Sequence, residues 1–264
     1  MSIENINQAA TAMNALTARM NNFVGDADAQ IAQRRAAYDG LAADLKGVVN
    51  GQMYFVGYVK PNEPNPTNID GGTFLTIYDA VVRSPYGAQV MLFLDPGIHE
   101  VTSDIPVGNR MIYIDKNGVE KPVIRLKARA SDVFNYPYHF DDCRNGAVYI
   151  KSCEIEFPAE KIDDSLEWNE ASSVLLQYTV SGFNHLSLTD CKVSGDAPFA
   201  LVTGNGSCTN VLGLHSTTLD GTIVGVSRTA SGVSIISKQS LTLLNGALVR
   251  STTGDLPNIL ENGG

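Results

Sequence analysis

The sequence predicts a mainly β protein in which a parallel β-helix follows an N-terminal α-helical coiled-coil segment. Three observations support this fold class. A unit of eight residues recurs along the chain, short runs rich in Val, Ile, Leu and Thr lie between its copies, and a heptad pattern is confined to the first fifty residues. A unit that cannot bury its own apolar face must stack on its neighbours, so the repeat is typical of a solenoid.

The repeated unit carries apolar residues at its first, third and last positions, and small residues near its fifth and sixth. Apolar residues two positions apart lie on one face of a strand, and small residues suit a corner. The units are Ile112–Val119, Val148–Ile155, Leu186–Val193, Leu212–Leu219 and Leu241–Leu248. Their third positions should form a core stack, comprising Ile114, Ile150, Leu188, Leu214 and Leu243.

The direction of the repeat favours parallel stacking over the alternative, an antiparallel β-sandwich. The units begin 26 to 38 residues apart, within the range of about 20–45 residues that one solenoid coil occupies. A sandwich would show hairpin dipeptides between its strands, and this sequence has few of them.

The first fifty residues have a different composition and predict helices. Apolar or small residues follow each other at alternating steps of three and four, which is a heptad seam. Between Ala27 and Ile31 the frame shifts by four, as in a stutter or a break, and Gly25-Asp26 could end one helix and cap the next. We therefore expect two helices, or one kinked helix. The interface residues of this seam are Ile6, Met13, Leu16, Met20, Phe23, Ile31, Tyr38, Leu41, Leu45 and Val48.

This seam has no partner within its own helix. Each apolar side chain that it buries contributes roughly 1.5–3 kcal/mol, so a bundle of identical helices is the simplest solution. Ile, Leu, Met and Phe are mixed over both seam positions and do not favour a dimer in particular. The alternative is that the helix folds back on the β domain of its own chain.

The domain organisation follows from these patterns. Residues 1–50 form the helical segment, residues 51–72 a strand over Gln52–Val59 and a Pro-rich linker, and residues 73–264 the β-helix domain. Phe74, Ile77, Tyr78 and Val81 recur at helical spacing, so a short helix over 73–82 is expected to cap the first coil. A bare edge of paired strands invites aggregation, and a capping helix prevents it.

The composition excludes several function classes. The chain has 264 residues, 44% of them hydrophobic, and a net charge of −9, so it lacks the basic surface that binds nucleic acid. We find no apolar stretch long enough for membrane insertion and no secretory signal, so synthesis in a cytoplasm is expected. Four cysteines occur without a CxxC pair. Cys153 and Cys191 share one repeat position, which indicates small buried residues rather than a disulfide.

Two stretches of the sequence resemble bacteriophage tail fibres and tailspikes. They are the helical "ADAQIAQRRAAYDGLAADLKGVVNG" and the later "YDAVVRSPYGAQVMLFLDPGIHEVTSDIPVGN", which is similar to the opening of pectate-lyase-like β-helices. The resemblance implies a right-handed, single-stranded β-helix and a homotrimer. It also implies a virion tail location, with the helices docked on tail or baseplate proteins. The β-helix would then face the host surface, its polysaccharide included, or a further fibre subunit.

The sequence departs from many tailspikes because only residues 254–264 follow the last predicted coil, which leaves the recognition role open. A head or collar fibre is a further alternative. The expected function is structural and non-enzymatic, with no cofactor.

A polysaccharide depolymerase, either a glycoside hydrolase or a lyase, is the enzymatic alternative. Glycoside hydrolysis needs two carboxylates about 5–10 Å apart. The weak candidates are Asp141, Asp142, Glu154 and Glu156. Glu154 and Glu156 flank an inward Ile155 and would lie about 7 Å apart by strand rise, yet any solvated strand gives that spacing.

The same segment offers a possible divalent-ion cluster of His139 with Asp141 and Asp142. A loop of polar residues is the preferred interpretation, so no metal site is predicted. Four aromatic residues could stack on sugar rings but are more often core or subunit contacts. They are Tyr86, Tyr136, Tyr138 and Trp168.

Overall fold

The computed structural model describes residues 3–141, 145–169, 173–177, 181–204, 207–229, 233–250 and 259–262. The protein is mainly β, with one long N-terminal helix and parallel sheets, one of which is strongly curled. The chain divides into two compact units, Met1–Gly51 and Gln52–Gly264.

The N-terminal unit is formed by α1, a single helix over Ile3–Met53. It has 51 residues and is therefore about 76 Å long at 1.5 Å per residue. The expected interruption near Gly25-Asp26 is wrong, because both residues lie inside the helix. The frame shift between Ala27 and Ile31 is therefore a stutter in a continuous helix, which changes the winding of a seam without ending it.

The second unit begins with β1 (Tyr54–Val59), β2 (Gly72–Phe74) and α2 (Ile77–Arg83). The expected helix over 73–82 is thus shorter at its start, because residues 72–74 pair in parallel with β1. Thr76 sets the start of α2, since its hydroxyl accepts a hydrogen bond from the Asp79 N–H at 3.0 Å. A capping side chain of this kind satisfies one of the free N–H groups of the first turn.

The remaining strands are short at first and longer towards the C-terminus. They are β3 Gln89–Leu94, β4 Ile98–Val101, β5 Ile105–Pro106, β6 Met111–Lys116, β7 Val123–Leu126, β8 Ala128–Ala130, β9 Phe134–Pro137, β10 Phe140–Asp141, β11 Ala147–Lys151, β12 Glu154–Glu156, β13 Glu167–Trp168, β14 Val174–Leu176, β15 Ser181–Thr189, β16 Lys192–Gly204, β17 Ser207–His215, β18 Thr218–Thr229, β19 Val233–Gln239, β20 Thr242–Leu244, β21 Leu248–Arg250 and β22 Ile259–Asn262.

Three sheets are described. A nine-stranded sheet has the order β2-β1-β3-β6-β11-β15-β17-β19-β22, and a ten-stranded sheet has the order β4-β7-β12-β16-β14-β10-β5 with β18, β20 and β21 attached through β16. A small third sheet has the order β13-β9-β8. Among the described pairs only β8 with β9 is antiparallel. From β6 to β20 the chain passes repeatedly from the nine-stranded sheet to the ten-stranded one and back.

Four of the five predicted stack residues are in register in the nine-stranded sheet. Ile150 lies opposite both Ile114 and Leu188, and Leu188 lies opposite Leu214. All four are at most 1% exposed. Side chains at matching positions of parallel strands point to the same face, so these four pack on one another in the interior.

The fifth residue, Leu243, does not belong to this stack. It lies opposite Leu219 in the ten-stranded sheet, and Lys238 is the residue opposite Leu214. The fifth unit therefore starts at Ile236, the partner of Leu212, five residues before the predicted start.

The corners of the repeat explain its small polar fifth position. Ser152, Asp190, Ser216 and Ser240 all adopt the left-handed conformation, with φ between 48° and 55°. Each of the first three donates its backbone N–H to the neighbouring coil, and the acceptors are the carbonyls of Thr189, His215 and Gln239 at 2.8–2.9 Å. Branched side chains are disfavoured in this conformation, whereas small polar ones tolerate it.

The residue after each of the first three corners is small, buried and able to donate a hydrogen bond, whereas Leu241 follows Ser240. The thiol of Cys191 donates to the Ile150 carbonyl at 3.3 Å, and the hydroxyl of Thr217 donates to the Leu188 carbonyl at 3.1 Å. Cys153 and Cys191 are free thiols. Burial raises the pKa of Cys191 to about 11 and raises that of Cys153 as well. Cys143 and the side chain of Cys208 lie outside the described residues.

The left-handed corner predicts opposite effects for two substitutions of the exposed Ser216. Ser216→Val should lower the free energy of unfolding by about 1–2 kcal/mol, because a β-branched residue is strained at positive φ. Ser216→Gly should leave it unchanged or raise it, because glycine adopts this conformation without strain. Urea unfolding measures both. Ser237→Val, in the extended strand β19, is the matched control and should be nearly neutral; equal effects of the two valine variants would contradict the corner argument.

A buried histidine makes the stability depend on pH. His99 is 3% exposed, and its Nε2–H donates to the Asp95 carbonyl at 2.7 Å. Burial lowers the pKa of His99 from 6.5, although the contact with Asp95 acts the other way. The unfolded chain therefore takes up a proton before the folded chain does, and the folded state loses stability as the pH falls below about 6.5.

We expect His99→Gln to reduce this pH dependence. The free energy of unfolding, measured in urea between pH 7.5 and pH 5, should decline less steeply in the variant than in the wild type. The slope is the informative quantity, because the substitution also changes packing at every pH. A variant with the wild-type slope would show that His99 is not among the groups responsible.

Candidate functional site

Two neighbouring strand ends bring charged side chains together beside the ten-stranded sheet. Asp104 directly precedes β5. His139 directly precedes β10, and Asp141 is the last residue of β10. The two strands pair in parallel with Phe140 opposite Ile105, and the Ile105 N–H donates to the His139 carbonyl at 2.9 Å. This pairing aligns Asp104 with His139, 35 residues further along the chain.

The three side chains form a compact cluster of possible ligand atoms. One carboxylate oxygen from each aspartate and one ring nitrogen of His139 all lie within 4.8 Å of one another. His139 is 1% exposed, whereas the Asp104 side chain is 24% exposed. Burial lowers the pKa of His139, although the carboxylates of Asp104 and Asp141 act in the opposite direction.

The hydrogen bonding of His139 distinguishes its two nitrogens. Nδ1 lies 3.1 Å from the Pro137 carbonyl, which accepts only from an N–H. In the neutral ring Nε2 then carries the lone pair. Nε2 lies 3.7 Å from Asp104 Oδ1, which is too long for a hydrogen bond.

Arg129 on β8 holds the other oxygen of Asp104. Its Nη1 pairs with Asp104 Oδ2, and its guanidinium lies over the rings of Tyr136 and Tyr138, with 4.4 and 5.0 Å to the centroids. A planar cation between an aromatic face and a carboxylate is fixed in orientation. Arg129 therefore orients Asp104 so that Oδ1 faces His139, whose backbone N–H donates to Oδ1 at 3.3 Å.

The structure separates the four candidate carboxylates. Asp141 belongs to the cluster, whereas Asp142 lies outside the described residues. Glu154 and Glu156 flank the buried Ile155 on β12, as the alternation of a strand requires. Glu156 is engaged in an ion pair with Arg125 at 2.7 Å.

Sequence reasoning missed Asp104 and Arg129. Both are single charged residues without a recognisable motif, and they join the cluster through strand pairing and a β8–β9 hairpin. The one signal in the sequence is Asp104, an isolated charged residue before the short strand β5. It cannot be interpreted until the partner strand of β5 is known.

A groove of about 450 Å³ lies between residues 125–128 and 156–162. Asn135, which is fully buried, anchors its outer wall: its side-chain amide donates to the Asp163 and Leu166 carbonyls and accepts from the Ile162 and Asp163 N–H groups. The cations along the groove are ion-paired, as Arg125–Glu156, Lys127–Glu100 and Lys161–Glu167. Of the candidate carboxylates, the described lining contains Glu156 alone.

The aromatic residues suggested for sugar stacking have other partners. Tyr136 and Tyr138 face Arg129, Trp168 packs edge-on against Phe199, and Arg110 lies over Tyr86. On the nine-stranded sheet, Tyr113 and Tyr149 stack on each other, with centroids 4.4 Å apart and planes at 6°. Each of these rings therefore has a partner within the protein, although Tyr86 is 65% exposed.

The seam of α1 is exposed along its whole described length. Its side chains are between 54% and 74% exposed, and they are Ile6, Met13, Leu16, Met20, Phe23, Ile31, Tyr38, Leu41 and Leu45. The side chain of Val48 lies outside the described residues. A row of large apolar side chains exposed on one stripe of a helix marks an interaction surface.

Comparison of the chain with protein-family models, curated proteins and solved structures finds no match. Over the residues that the structure describes, no helix has the length and apolarity needed to cross a bilayer.

The pairing of Arg129 with Asp104 predicts a measurable cost of removing the guanidinium. Arg129→Met should lower the free energy of unfolding by about 1–3 kcal/mol, because it leaves a half-buried carboxylate without its ion-pair partner and removes the contacts with two tyrosine rings. Lys127→Met is the matched control, since its ion pair with Glu100 is nearly half exposed and should cost less than about 1 kcal/mol. Equal losses in the two variants would contradict the role given to Arg129.

Proposed function

We propose that the chain is a structural virion protein, a homotrimeric fibre that associates through α1 and presents a right-handed, single-stranded parallel β-helix. The observation that carries the proposal is the row of exposed apolar side chains along the continuous helix α1. A structural role also agrees with a groove whose cations are ion-paired and with aromatic faces that are used internally.

The β-helix is supported by the way the sheets are connected. The chain alternates between two parallel sheets, and equivalent residues of successive passes lie opposite one another, as Ile150 does with Ile114 and Leu188. The left-handed corners recur at the same point of each pass. A chain that winds in one direction, one layer per pass, produces these features, and a sandwich of antiparallel strands does not.

Self-association is supported by the energetics of α1. Its backbone is satisfied within the helix, but its seam side chains are exposed in the single chain. Each of them contributes roughly 1.5–3 kcal/mol when buried, and several identical helices bury them together. Three strands are proposed because Ile, Leu, Met and Phe occupy both seam positions and because of the resemblance to trimeric tail fibres.

Attachment to the virion is proposed from the resemblance to tail fibres. The α1 end would dock on tail or baseplate proteins, and the β-helix would face the host surface or a further fibre subunit. A head or collar location uses the same architecture and differs only in the docking partner.

A polysaccharide depolymerase remains the second candidate, favoured by one observation. Oxygens of Asp104 and Asp141 lie within 4.8 Å of each other, close to the carboxylate spacing of about 5–5.5 Å in retaining glycosidases. The pairing of Asp104 with Arg129 and the buried imidazole between the two carboxylates make the structural role the better supported one.

The oligomeric state tests the proposed function. Sedimentation equilibrium of the full chain should give three times the mass of the single chain. The double variant Leu16→Asp/Phe23→Asp should be monomeric, because charges within a coiled-coil seam cannot be buried. The control Ala18→Asp/Asn22→Asp adds the same charge off the seam and should remain trimeric.

Circular dichroism accompanies this measurement to show that the β unit of each variant is folded. A monomeric wild-type chain, or a seam variant that keeps the wild-type mass, would contradict the proposal. Negative-stain electron microscopy of the wild type should show a rod with three-fold symmetry.

A further inference from the structure

We propose that Asp104, His139 and Asp141 bind a divalent transition-metal ion, with Zn²⁺ as the best fit. One imidazole nitrogen with two carboxylate oxygens is a ligand set that suits zinc. The inference concerns the β unit alone and does not depend on the oligomeric state or on the virion role.

The geometry requires little rearrangement. In a tetrahedral zinc site with bonds of about 2.0–2.2 Å, neighbouring ligand atoms lie about 3.4 Å apart. His139 Nε2 and Asp104 Oδ1 are already 3.7 Å apart, and the whole set of three atoms spans no more than 4.8 Å. Small side-chain rotations of the two aspartates would bring all three atoms to bonding distance, and a water molecule would complete the tetrahedron.

The orientation of His139 is the independent observation that indicates a ligand. Its Nδ1–H is held by the Pro137 carbonyl at 3.1 Å, which is how a metal-binding histidine is usually fixed by its outer shell. The other nitrogen is buried, faces the carboxylates and is too far from Asp104 Oδ1 for a hydrogen bond. A buried nitrogen that points its lone pair at carboxylate oxygens is repelled by them unless a proton or a metal cation lies between.

Arg129 supports this arrangement without occupying the site. It binds Asp104 through Oδ2. Oδ1 accepts the His139 backbone N–H at 3.3 Å and keeps a second lone pair for the ion. Arginine commonly presents its donors to one side of a carboxylate in a fixed direction, so Asp104 is oriented before the ion arrives. The guanidinium also offsets part of the negative charge, and we therefore expect moderate affinity.

The position of the site indicates a structural role. Asp104 precedes β5 and Asp141 ends β10, which are strands of only two residues each. An ion bound between them would link two neighbouring strands that share few backbone hydrogen bonds.

Isothermal titration of the metal-free full chain with Zn²⁺ tests the proposal. We expect one saturable site per chain, at least tenfold weaker binding in Asp104→Asn and in His139→Gln, and no change in Asp115→Asn. Asp115 is a matched control, because its carboxylate lies in a different sheet and pairs with Lys151 at 3.4 Å. Mg²⁺ should bind much more weakly, since it prefers six oxygen ligands.

Zinc-edge X-ray absorption of the loaded wild type provides a readout that does not depend on any variant folding. One imidazole and oxygen ligands are expected. Three results would overturn the proposal: no saturable binding, wild-type affinity in both ligand variants, or a spectrum without imidazole. The cluster would then be an ion-paired network around Arg129. A rise in the unfolding temperature with Zn²⁺ in the wild type, lost in Asp104→Asn, would support it.

Discussion

Parallel pairing of each pass of the chain with the next is the constraint on which the β unit depends. A parallel strand has no hairpin partner, so its backbone N–H and C=O groups are satisfied only by the preceding and following passes. The left-handed corners extend this pairing around the turn, because the N–H of Ser152 or Asp190 reaches the carbonyl of the next pass. Side chains at equivalent positions are consequently superposed.

That superposition determines what each column of side chains does. On the inner face it stacks Ile114, Ile150, Leu188 and Leu214, and on the outer face it stacks Tyr113 on Tyr149. At the lateral strands β5 and β10 it aligns Asp104 with His139. The same pairing rule thus creates an apolar core, an aromatic ladder and a polar cluster, and the residue type alone decides which of these appears.

The helix α1 obeys a different constraint. Its hydrogen bonds are internal, so its backbone needs no partner, but its apolar stripe does. A heptad stripe drifts slowly around a straight helix, and the stutter between Ala27 and Ile31 offsets this drift. The stripe therefore stays on one side of the 51-residue helix. The two units therefore differ in how their apolar residues are placed: the β unit buries them by its own repetition along the chain, whereas the apolar stripe of α1 is exposed over its described length.

The sequence by itself determined the strand periodicity, the first and third positions of four of the five repeat units and the heptad seam, because these depend on neighbours within a few residues. The predicted last position of the first unit, Val119, is wrong: Val119 is exposed, and Ile124 lies opposite Ile155. Only the tertiary structure decided the start of the fifth unit. Ser240 and Asn245 are both small, polar and left-handed, so the local pattern accepts either corner, and pairing with β17 selects Ser240. The Asp104–His139 alignment was hidden for the same reason, since the length of the intervening segment sets which residues of two paired strands meet.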